Sequence, residues 1–92
     1  MLNFSFISDE KPMHTRGLIH AGGIEYEEFV KAQDAKLIEN QLDYYGKSRW
    51  SSQQVRQKQM MLTPAIEATI PGLASILKQA FAGECGLVAI GD

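Results

Sequence analysis

Lys47, Arg49, Arg56 and Lys58 fall within twelve residues that contain no acid, and Trp50, the only tryptophan, lies among them with Tyr44 and Tyr45 at the edge. Cations interleaved with aromatic rings can meet phosphates and stack on bases or guanidinium planes, and Trp, Tyr and Arg also dominate the energetic centres of protein interfaces. The five residues Lys47, Arg49, Trp50, Arg56 and Lys58 are therefore the expected binding set. The competing reading is a solvated turn and helix in which Trp50 is simply core, since Trp is usually largely buried.

The remaining chemistry-bearing residues form weaker constellations. His14 and His20 are six apart, but a metal site needs three or four ligands, and only Cys85 or scattered carboxylates could complete the set. Cys85 could pair with a histidine as nucleophile and base, yet its neighbours GLVAI are apolar and no cation stands beside it, which favours a buried small hydrophobe. Glu25, Glu27 and Glu28 are explained by the attraction of carboxylates to a helix start. The His20-Ala21-Gly22-Gly23 segment could cradle a phosphate, but Gly-Gly without a following lysine fits a hairpin turn better. Tyr44 and Tyr45 read as core and rim. No Walker, GxSxG or HExxH sequence occurs, so neither a catalytic residue nor a cofactor is expected.

The elements that must position these residues follow from periodicity. Leu2, Phe4 and Phe6 alternate with Asn3 and Ser5, the pattern of a strand buried on one face. Asp9 to Pro12 forms a polar turn, and a second extended stretch is expected from His14 to His20, with Gly22 and Gly23 as a tight turn and Ile24 to Tyr26 returning. From Glu27 the heptad-like spacing of Tyr26, Val30, Leu37 and Tyr44, with the neighbouring stripe Ala35, Ile38, Leu42 and Tyr45, predicts one long helix closed by Gly46. A second helix starts at Ser51 or Ser52 and runs to Leu62. Thr63 and Pro64 open a third, which Pro71 and Gly72 kink or split before Gly83. Cys85 to Ile90 is a closing strand. The expected fold is α+β, a small single domain over residues 1–92 with a short, mostly antiparallel sheet packed on three or four helices.

Size and charge narrow the function. A chain of 92 residues and 10.2 kDa exposes ~5,300 Å², of which one standard interface takes ~800 Å². A substrate pocket would have to be carved from a marginal core, so a binding module is expected rather than an enzyme, with no small-molecule substrate. The net charge of −2 hides sorting: −4 over residues 1–43, +4 over 44–66 and −2 over 67–92. No apolar run approaches the ~20 residues of a membrane span, the N-terminus lacks a basic leader, and a single Cys suits a reducing compartment. The expected setting is cytoplasmic.

The opening LNFSFISDEKPMHTRGLIHAGGIEYEEF, the KSRW junction and the length together resemble the phage-encoded anti-CRISPR proteins, more narrowly those that disable the type I-F Csy surveillance complex. That group shares a way of life and not a fold, so the resemblance assigns no functional residue by motif. It implies a phage protein in the host bacterial cytoplasm that binds a Cas protein–crRNA assembly stoichiometrically and blocks target DNA, with crRNA phosphates offered to the basic block and channel lysines to the acidic ones. The rival from another class is a small nucleic-acid-binding regulator with residues 47–82 as a helix-turn-helix, against which stand the pI of 5.6 and the break at Pro71. A third reading is another phage interaction protein.

Overall fold

The alternation of Leu2, Phe4 and Phe6 is realised as β1 (Leu2–Ile7), with Leu2 and Phe4 buried and Asn3 and Ser5 on the opposite face. A computed structural model describes residues 1–9 and 18–91 of the chain. After β1 come β2 (Ile19–Ile24), α1 (Tyr26–Asp34), β3 (Lys47–Trp50), α2 (Ser52–Met60), α3 (Pro64–Thr69), α4 (Pro71–Ala82) and β4 (Gly86–Gly91). The strands form one sheet in the order β2-β1-β4-β3, and every pairing is antiparallel. The α+β class and the sheet packed on helices are as expected.

Pairing register sorts the sheet into two faces. Phe6, Leu87 and Trp50 stand in one row and Phe4, Ala89 and Ser48 in the next, on the face that carries the main core. There they meet Leu73, Ile76, Leu77 and Ala80 of α4 and Val55 of α2. The other face carries Ser5, His20, Val88 and Arg49 in one row and Asn3, Ile90 and Lys47 in the next. Ile7 and Val88 are buried yet stand outside the main cluster, in keeping with that face.

Local chemistry sets most helix ends. Ser51 caps α2 in a full capping box, its hydroxyl accepting from Gln54 N–H while Gln54 Oε1 accepts from Ser51 N–H. Thr63 caps α3 ahead of Pro64, and Pro71 starts α4, so the helical spacing across residues 66–81 is split into two helices.

Several expectations are corrected. Gly22 and Gly23 are not a hairpin turn: they pair with Phe4 and Asn3 inside β2, beside a register shift that marks a bulge. Gly22 takes φ 151°, and a Cβ there would press on Ile76, so glycine here serves a bulge and a close helix approach. Ile24 accordingly ends β2 and starts no returning strand. Of the extended stretch His14 to His20, Ile19 and His20 belong to β2, while the turn after Asp9, His14 and the residues up to Gly17 lie outside the described residues.

The long helix ends at Asp34, well before Gly46. Lys36 adopts φ 68°, and Leu37 N–H bonds Ala32 O at 2.9 Å while Lys36 N–H bonds Gln33 O at 3.0 Å, a left-handed reversal of the Schellman type. The apolar stripe continues because Leu37, Ile38 and Tyr44 are buried from an irregular segment. Gly46 instead leads into β3, a strand the sequence reading did not anticipate.

Candidate functional site

The sequence places five binding residues in one block, and the structure separates them by depth. Trp50 is 3% exposed, packs on the Phe4 ring at 5.5 Å between centroids, and belongs to the core. Lys58, three residues after buried Val55 and so on the same side of α2, is also buried. Its Nζ donates to Leu37 O at 2.6 Å, meets both Glu39 carboxylate oxygens at 3.0 Å and stands 4.4 Å from the Trp50 ring centroid. A buried ammonium needs such compensation, and here it ties α2 and β3 to the irregular segment after α1.

Arg49 is half-buried on the other sheet face, where Nη2 donates to Ser8 O at 2.9 Å and Asp9 O at 3.0 Å. The guanidinium thus pins the chain just beyond β1. Asp9 in turn accepts from Ser52 N–H at 2.8 Å and from the Ser52 hydroxyl at 2.5 Å. Those two bonds, the hydroxyl first, hold the Asp9 carboxyl below its ordinary pKa against the opposing effect of desolvation, with the Arg49 charge a smaller contribution in the same lowering direction. Lys47 and Arg56 are the members of the set that are exposed. The basic block therefore supplies structural ties at three positions and exposed cations at two.

The acids are also divided. Glu28 Oε2 accepts Leu73 N–H at 2.5 Å, capping α4 where the N-cap residue Ile70 offers no side-chain acceptor. Gly72 leaves room for that carboxylate, since a Cβ there would lie 3.0 Å from both of its oxygens. Glu25 and Glu27 remain exposed, on either side of Tyr26.

Four aromatic rings meet where β2 passes into α1 and the chain approaches β3. Tyr44 is buried, and its hydroxyl donates to Ile24 O at 3.3 Å. Phe29 and Tyr26 both lie 5.3 Å from the Tyr44 centroid and Tyr45 lies at 5.0 Å, the two outer tyrosines meeting Tyr44 at 90° and 87°. Tyr26 is 56% and Tyr45 66% exposed. Tyr44 as core and Tyr45 as rim agree with the sequence reading. Tyr26, which that reading placed in the apolar stripe of the helix, is instead exposed and is the residue it missed; its acidic neighbours, Glu25 at the N-cap and Glu27 in the first helical turn, were the available signal.

Cys85 is half-buried with Sγ 3.7 Å from Ala80 O, and desolvation, then the Asp9 charge, push its thiol pKa up. Two surface depressions, about 350 and 280 Å³, are lined by groups that pair with one another: Lys78 with Glu67 and Gln79 with Ser75 in the first, Lys58 with Glu39 in the second. Among the described residues no group of three or more His, Cys, Asp or Glu could hold a metal, and no helix is long and apolar enough to cross a membrane. Searches of protein-family models, curated proteins and solved structures return no match to the chain.

Proposed function

We propose that the protein acts by stoichiometric binding to a protein partner, without turnover, as an inhibitor of a larger assembly. The observation that supports this reading is the aromatic corner, where Tyr26 and Tyr45 stand more than half exposed while each is braced edge-on against buried Tyr44. Rings held in place before binding lose little freedom on contact, and tyrosine is among the side chains enriched at interface centres. The sheet face opposite the main core offers a contrast. Among the described residues its register rows carry Asn3, Ser5, His20, Lys47, Arg49, Val88 and Ile90, with His20 as their one ring, and Val88 is buried, so these rows make a poor platform for single-stranded nucleic acid.

The resemblance of the opening segment and the KSRW junction to anti-CRISPR proteins narrows the assembly to a type I-F crRNA-guided surveillance complex in the host bacterial cytoplasm, whose target DNA binding would be blocked. In that setting exposed Lys47 and Arg56 supply secondary contacts to crRNA phosphates. A helix-turn-helix regulator over residues 47–82 is disfavoured: residues 47–50 are a strand, α4 buries Leu73, Ala74, Ile76, Leu77 and Ala80, and its base Lys78 pairs with Glu67.

The decisive experiment titrates purified type I-F surveillance complex with the protein and follows binding of target DNA. Inhibition is expected to saturate at a fixed molar ratio with both components recovered together by size exclusion. Unimpaired DNA binding at a large excess of the protein would defeat the inhibitor reading, and loss of binding at strongly substoichiometric amounts would point to an enzyme.

A further inference from the structure

Resting on the binder reading, we infer that the Tyr26–Tyr45 corner receives an arginine-bearing basic segment of the partner protein. Both exposed rings lie within 5.3 Å of the Tyr44 centroid, close enough for one extended segment to span them. Phe29, stacked at 6.3 Å from Tyr26, and Tyr44 are buried, so the platform is fixed from beneath.

Charge selects the occupant. Glu25 and Glu27 flank Tyr26 and are exposed, and exposed Asp43 lies two residues before Tyr45, its Oδ1 accepting Tyr45 N–H at 3.0 Å. Lys31, a turn further along α1, and Lys47, the first residue of β3, are the bases at the margin. Three exposed carboxylates thus stand within two residues of the exposed tyrosines along the chain, against one base, Lys47, at that spacing, a balance that disfavours phosphate and favours cations. Arginine satisfies both components at once, because its planar guanidinium stacks on a ring while its N–H fork meets a carboxylate. Lysine can also stand over a ring, but its ammonium has neither the planar stack nor the two-pronged fork.

The test is a titration of isotope-labelled protein with a glycine-spaced arginine hexapeptide, followed by backbone amide shifts. The arginine peptide is expected to move amides of residues 25–28 and 43–46. Its lysine counterpart should bind about threefold more weakly, and oligouridine should leave those amides in place. Tyr26→Ala with Tyr45→Ala should weaken the peptide about tenfold or more. Glu25→Gln with Glu27→Gln keeps both rings and should weaken it several-fold at low salt, which decides the matter if the tyrosine variant does not fold.

Shifts confined to another surface, equal affinity of the folded variants and the parent, or oligouridine moving the same amides would each overturn the inference. Its failure is separable from failure of the inhibitor reading. A protein that takes the peptide at the corner yet leaves the surveillance complex active fails the latter alone. One that inhibits the complex equally well without Tyr26 and Tyr45 fails the former alone.

Discussion

The Lys58 ammonium stands 4.4 Å from the centre of the Trp50 indole and is held there by the Glu39 carboxylate and the Leu37 carbonyl. One cation thereby joins a strand, a helix and an irregular segment that share no continuous backbone pairing. Trp50→Ala should lower folding stability by about 3 to 5 kcal/mol, the range for a large core ring. Lys58→Ala strips the buried Leu37 carbonyl and leaves Glu39 unpaired, for a loss of about 1 to 3 kcal/mol, whereas Lys47→Glu and Arg56→Glu should each change stability by less than about 1 kcal/mol. Urea titrations of the four variants check this. Equal stability of Lys58→Ala and the parent would show the buried tie to be idle.

Acid should weaken the attachment of the chain beyond β1 to α2. The Asp9 carboxyl has a lower pKa folded than unfolded, so its contribution is fully present above the unfolded value of about 3.9 and is lost as pH falls through the folded one. Asp9→Asn should be flatter than the parent in a stability profile recorded from pH 5 to pH 2, in rough keeping with that window. A parallel fall of both proteins would remove Asp9 from the acid response.

Glu28 and Gly72 should be energetically coupled. Glu28→Ala leaves the start of α4 uncapped and should cost about 0.5 to 2 kcal/mol. Gly72→Ala removes a poor helix former, but its new Cβ crowds the carboxylate, so its gain of up to about 1 kcal/mol should emerge more fully when Glu28 is already alanine. A double-mutant cycle by thermal melting reads the coupling directly, and strict additivity of the two changes would refute it.

Cys85 should react slowly with iodoacetamide. Its raised thiol pKa lowers the thiolate fraction at pH 8, and the alkylation profile should be displaced upward relative to a free thiol. Its stability contribution runs in the matching direction, present at low pH and lost as pH rises through the folded value. Alkylation as fast as that of an unstructured cysteine peptide would contradict this.

Local rules recovered what is local. The alternation in β1, the Ser51 and Thr63 caps and the break at Pro71 each depend on a few neighbouring residues, and all stand as read from the sequence. What failed depends on distant partners. Gly22 lies in a strand because Phe4 pairs with it and Ile76 packs close against it, neither of which is near it in the chain. The apolar spacing after Asp34 imitates a helix because burial, not winding, selects Leu37, Ile38 and Tyr44. In the site, Lys58 looked like a surface cation because composition registers charge and not depth, although its position three residues after Val55 marked the inner side of α2. Tyr45 was read as rim, but the ring set around Tyr44 unites residues eighteen apart, which periodicity cannot join.

The sheet order has a consequence for biosynthesis. β4, the latest of the eight elements in sequence, lies between β1 and β3 and supplies the pairing that joins them. Until it leaves the ribosome, β1 has β2 alone for a neighbour and β3 has no sheet to enter, so Trp50 waits without its final surroundings. At the two ends of β4, Gly86 and Gly91 let the backbone at Trp50–Ser51 and Tyr44–Tyr45 approach so closely that a side chain at either glycine would collide with it. Closure of the sheet is therefore a late step that draws together residues some eighty positions apart in one event. A nascent chain stalled before Gly86 would carry the helices without the strand that seats them, making the synthesis of β4 the point at which translation commits the molecule to its shape.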